Sequence, residues 1–245
     1  MRTLILSDLH ANVHATDAVL ADARRRGYDR VVCLGDLVGY GAHPNEVIDR
    51  LRDLAGCAFV RGNHDKAACD ISDGESFNDA AREALAWTRA ALTPDNRAWL
   101  RMLPEGPVNA GGLLLSHGSP RDEEAYILGE TDAQEAMSAC TEPLALFGHT
   151  HFAGLFMAGT GQRPSALLLA QGGVVALPRG RRCLLNPGSI GQPRDHEPRA
   201  SYALHDDATA TVEIVRVAYD VRGARAAIVS AGLPRVLEGR LALGV

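Results

Sequence analysis

At 245 residues, 46% of them apolar, the chain is long enough to bury a large core, and one domain over 1–245 is expected because no linker divides it. The formal charge is −5 and Lys66 is the only lysine, which argues against nucleic acid as a partner. No apolar run reaches the roughly 18 residues of a membrane span, no leader-like stretch comes after Met1, and the five cysteines form no C-x-x-C pair, so a reduced, cytoplasmic protein without membrane contact is expected.

The first third of the chain alternates. An apolar run over 3–6 predicts a buried strand, 14–26 a helix closed by Gly27, and 31–34 a second strand. A helix over 44–52, with Pro44 in its first turn, and a strand over 58–60 come next. This spacing implies parallel β-α-β units with right-handed crossovers. Two helix patterns succeed them over 79–92 and 94–103, and 107–116 folds back through Ala110, Gly111 and Gly112 as a hairpin. Short strands then dominate, over 144–147, 154–157, 166–170, 174–177, 183–185, 202–205 and 211–217. A final helix over 221–231 is expected to pack back on the sheet.

Each buried strand runs into a polar loop of a particular kind. Leu6 leads into Ser7-Asp8-Leu9-His10, Leu34 into Gly35-Asp36, and Val60 into Arg61-Gly62-Asn63-His64-Asp65. Leu115 leads into Ser116-His117-Gly118, and Phe147 into Gly148-His149-Thr150-His151. In open α/β sheets the C-terminal strand ends face the ligand crevice, so five loops far apart in sequence are expected to converge. Carboxylates, an amide oxygen and imidazoles without thiolate suit manganese, iron, zinc, cobalt or nickel better than magnesium or calcium, which favour all-oxygen shells. His149 and His151, as alternate residues of an extended loop, are expected to point the same way and to reach one ion or two neighbouring ones.

Asp-x-His, Gly-Asp, Gly-Asn-His-Asp, Gly-His (here Ser-His-Gly at 116–118) and Gly-His-x-His, in this order, resemble the calcineurin-like metallophosphoesterases. The likeness runs from Leu4 to about Arg194 and includes Gly35-Asp36-Leu37-Val38-Gly39-Tyr40-Gly41 and the stretch 186–194, Asn-Pro-Gly-Ser-Ile-Gly-Gln-Pro-Arg. Both stretches look like the small bacterial phosphodiesterase branch, similar also to the retromer subunit that kept the fold as a scaffold. The resemblance implies an α/β fold, a four-layer αββα sandwich of two mixed β-sheets flanked by helices, with two divalent transition-metal ions, manganese foremost, at one edge. Carried over by position, Asp8, His10 and His151 hold one ion, Asn63, His117 and His149 the other, and Asp36 bridges them.

His64 then sits beside the leaving-group oxygen as general acid, while a hydroxide bridging the two ions attacks phosphorus. Asn12, Tyr40 and Arg194 lie in motif loops as candidate contacts to a small phosphoester substrate, as does His43. The second Asp that orients the catalytic histidine of protein serine/threonine phosphatases is absent, Gly39 and Tyr40 standing in that region, which speaks against protein dephosphorylation. Asp65 replaces the family's usual glutamate after Asn-His and is one candidate for orienting His64. A phosphodiesterase on small or nucleotide-type substrates is the leading expectation, with a phosphomonoesterase, a nuclease or a protein-binding scaffold as alternatives.

Overall fold

Alternation within the first strands sets the layering. The computed structural model describes residues 1–245. In β1 (Arg2–Leu6) and β2 (Arg30–Cys33), Leu4, Leu6, Val31 and Cys33 enter one apolar cluster while Ile5 and Val32 enter another. A strand buried on both faces must be covered on both, because side chains alternate across it. The inner cluster is met by Leu115, Leu146 and Leu185 of a second sheet. The outer one is met by helices.

The first sheet has the order β3-β2-β1-β11-β12-β9, with β3 at Ala58–Phe59, β9 at Gly173–Ala176, β11 at Ala200–Asp206 and β12 at Thr211–Val217. The second has the order β4-β5-β6-β10-β7-β8, with β4 at Val108–Ala110, β5 at Leu113–Leu115 and β6 at Leu144–Leu146. Its remaining strands are β7 (Ala153–Ala158), β8 (Ser165–Leu168) and β10 (Arg182–Pro187). β1, β2 and β3 run parallel, as do β5, β6 and β10, and the other pairs are antiparallel. Helices α1 (Val13–Arg26) and α2 (Pro44–Arg52) make the crossovers and cover the first sheet, and α6 (Glu130–Ser138) covers the second through Ala133, Ala136 and Met137. The four-layer α/β sandwich of two mixed sheets is therefore present. No helix is long and apolar enough to cross a membrane.

Helices α4 (Asp79–Ala91) and α5 (Pro94–Arg101) match the sequence pattern closely, capped by Asn78 and Thr93. Three helices have no counterpart in that pattern. α3 (Asn63–Ala68) is too short to show a period, α6 buries mainly alanine, and α8 (Arg235–Leu243) buries only Leu237 and Leu241. The expected helix at 221–231 is α7 (Val221–Ser230), packed on α1 and α8.

Candidate metal centre

The parallel strands of both sheets end on the same side, and the loops leaving them meet there. Donor atoms of Asp8, His10, Asp36 and His151 lie within 4.8 Å of one another, as do those of Asp36, His117 and His149, and every one of these residues is buried. Asp36 belongs to both groups: its Oδ2 is 3.6 Å from His10 Nε2 and 3.4 Å from His117 Nε2. Asn63 Oδ1 lies 3.1 Å from His117 Nε2, so it joins the second group. The structure thus gathers all seven predicted ligands.

Backbone carbonyls hold the rings from outside. His10 Nδ1 donates to Val38 O (3.1 Å), His117 Nδ1 to Leu34 O (2.7 Å), His151 Nδ1 to Gln192 O (2.6 Å) and His149 Nε2 to Glu124 O (3.0 Å). A carbonyl only accepts, so each outer nitrogen carries a proton and the inner one faces the donor cluster. The inner nitrogens of His10 and His151 are 3.1 Å apart, and those of His117 and His149 are 3.2 Å apart. Burial keeps His10 and His151 neutral, so there lone pair faces lone pair, which is repulsive unless a cation lies between them. The donor set of imidazole, carboxylate and amide oxygen therefore fits divalent transition metals.

The electrostatics point the same way. Burial holds His10 and His151 well below their ordinary range and lowers His149 to about 3. Burial also lifts Asp8 to about 6, against the pull of His117. At His117 burial opposes the charged ring but Asp36 prevails, raising it to about 10, while Asp36 is held well below the carboxylate range despite burial.

The loops reach this geometry through left-handed backbone. Asp8, His10, Asp36, His149 and His151 have φ of 54°, 46°, 53°, 65° and 63°. The extended stretch expected at His149 and His151 is therefore not formed; its two left-handed residues send His149 to one group and His151 to the other. A side chain at Gly191 would collide with the Leu9 carbonyl, so the segment after β10 lies directly on the Asp8 loop, where Ser189 Oγ donates to Asp8 O at 2.8 Å.

His64 is 4% exposed and lies edge-on to His10 at 5.0 Å, with Tyr40 at 4.5 Å and Phe77 at 4.4 Å. Burial lowers it to about 4, against the attraction of Asp36. Its Nδ1 is buried without a hydrogen-bond partner, and a Cβ at residue 39 would collide with it. Asp65 does not orient His64. Its carboxylate accepts the amides of Leu37 (2.8 Å), Val38 (3.2 Å) and Gly62 (3.0 Å), fastening α3 to the Asp36 loop.

Tyr40 and Arg194 line the cavity of about 180 Å³ beside the donor residues, with Arg194 Nη2 3.4 Å from Tyr40 Oη and 3.2 Å from Gln192 Oε1. Arg194 Nε has no partner. Asn12 falls outside this cavity: its Oδ1 caps α1 by accepting Ala15 N–H, and its Nδ2 donates to Gly191 O at 3.0 Å. His43 is also outside, set against His14 at 5.6 Å. Sequence reasoning missed Glu124, Tyr126 and Phe77. Tyr126 stacks on His149 at 4.0 Å and 17°, yet it lies nine residues after His117, too far along the loop for the motif to mark it.

A model of the calcineurin-like phosphoesterase superfamily domain matches residues 1–210. The chain is 35% identical over 243 residues to an uncharacterized protein of Methanocaldococcus jannaschii, covering 98% of this chain and 97% of that one. It is similar to the crystal structure of a metallophosphoesterase from Sphaerobacter thermophilus, with 38% identity, a TM-score of 0.86 and coverage of 100% and 99%. A hypothetical protein from Pyrococcus horikoshii OT3 shares the fold at 22% identity, with a TM-score of 0.81 and coverage of 100% and 98%.

Proposed function

This chain belongs to the calcineurin-like phosphoesterase superfamily and is a metal-dependent phosphoester hydrolase; from that premise we propose that it is a phosphodiesterase acting on small or nucleotide-type esters through two divalent ions, manganese foremost. The observation that carries the reading is the pair of buried donor groups joined at Asp36. Asp8, His10 and His151 would hold one ion, Asn63, His117 and His149 the other, and Asp36 would serve both. When bound, such ions activate water at neutral pH and offset charge on the phosphoryl oxygens.

The chain's own residues do the rest. The Val38, Leu34, Gln192 and Glu124 carbonyls keep four imidazoles in the ligating tautomer. Arg194, the cationic side chain of the cavity lining, would bind a phosphoryl oxygen. Burial disfavours the charged ring of His64, so with Nδ1 facing no acceptor it would act on the leaving oxygen as a neutral hydrogen-bond donor through Nε2, a weaker role than the general acid that the resemblance implies. Five free cysteines fit work in the cytoplasm, and the chain acts as one domain.

The test is metal analysis of the purified protein, followed by turnover with manganese on bis(p-nitrophenyl) phosphate and p-nitrophenyl phosphate. Preferential hydrolysis of the diester is expected. Preference for the monoester would make the chain a phosphomonoesterase, and inactivity on both at full metal occupancy would point to a scaffold.

A further inference from the structure

The cavity beside the metal ligands continues into a groove of about 280 Å³, the two sharing Asn63, Ser76, Phe77 and Glu124. Their linings differ in charge. Arg194 is the only lysine or arginine in the first, and the second has none, while Asp73, Glu75 and Glu124 line it. Glu124 is paired with Lys66, whereas Asp73 and Glu75 are exposed with no cation beside them. A second phosphate entering the groove would meet carboxylates and no compensating cation.

The same walls favour a flat neutral group. Tyr126 has one face on His149, yet it is 49% exposed and lines the first cavity, which leaves its other face free. Phe77 lines both spaces. Ser76 and Asn78 are exposed at the cavity wall beside it; the Asn78 oxygen is used in capping α4, which leaves the amide nitrogen and the Ser76 hydroxyl for the edge of a ligand. Aromatic faces with polar groups beside them hold planar rings that have hydrogen-bonding edges.

We propose that Tyr126 and the loop at 72–78 form a subsite for a neutral, planar ester group of the nucleoside type, and that the acidic groove restricts the substrate to diesters with a single phosphate. This rests on the phosphodiesterase reading. It adds the class of alcohol.

The experiment uses the full, manganese-loaded chain and two diesters with the same leaving group, methyl p-nitrophenyl phosphate and thymidine 5′-(p-nitrophenyl phosphate). The thymidine ester should have kcat/KM on the order of ten-fold higher, mainly through KM. Tyr126→Ala should erase most of that preference and Tyr126→Phe should keep it, with manganese content measured in each variant to separate loss of an ion from loss of the subsite. Thymidine 5′-monophosphate should inhibit more strongly than the triphosphate at constant free manganese. Equal kcat/KM for both esters, an unchanged preference in Tyr126→Ala, or tighter binding of the triphosphate would overturn the subsite while the phosphodiesterase reading stands. If neither diester is hydrolysed by the loaded chain, the phosphodiesterase reading itself fails.

Discussion

His64 and Asp36 share a hydrogen bond, the His64 amide donating to Asp36 Oδ1 at 2.9 Å, yet their replacement should have different effects. His64→Ala removes a ring that makes no hydrogen bond through Nδ1, so the metals should stay while turnover falls by about 10²- to 10⁴-fold. The loss should be steepest for poor leaving groups, and rates across a series of aryl diesters read it directly. Asp36→Asn instead weakens a carboxylate common to both donor groups, and metal analysis should find both ions depleted; loss of one alone would sink the bridge. The donor residues are legible in the sequence because each comes just after a buried strand, most beside a glycine. Asn12 and Asp65, both candidates from the sequence, hold backbone amides instead, because motif loops need residues that hold the backbone as well as residues that do chemistry, and short polar side chains serve both.

At the scale of elements, the segment between β10 and β11 reaches the centre at Asp8 and His151, while its far end is held by a local ion pair. Glu197 is 8% exposed, and its Oε1 accepts Arg199 Nε at 2.9 Å and its Oε2 Arg199 Nη2 at 2.8 Å. The Gly244 carbonyl after α8 accepts the His196 amide, so this turn also anchors the last helix. Arg199 depresses the Glu197 carboxyl from 4.5 to about 2. A depressed folded-state value means that the contribution is complete above pH 4.5 and is lost as pH falls toward 2. Glu197→Gln should therefore lower Tm at pH 7, with the difference from wild type shrinking through that acid window; a constant difference would refute the linkage. Elements with a strong period, such as α4, could be read from sequence, whereas α8 could not, because two buried leucines do not make a stripe.

For the molecule as a whole, the donor groups join the ends of both sheets, with Asp8 and Asp36 from one and His117, His149 and His151 from the other. Metal binding should therefore stabilise the sandwich globally. At free ion roughly 100 times Kd each site adds about 2.7 kcal/mol, and for a chain of this size that is roughly 5–11 °C in Tm. Chelation should lower the whole unfolding transition by this order; an unchanged Tm would mean that the ions do not hold the sheets together. Seven of the ten non-glycine residues with left-handed backbone lie in these same loops, including Ala11 and Tyr40 beside the ligands. Each such conformation costs about 1 kcal/mol for an ordinary side chain. A lineage released from catalysis would forfeit the stabilisation by the ions but recover the backbone strain by drifting to glycine or asparagine at these positions, two changes of similar size, so the architecture can outlast the enzyme.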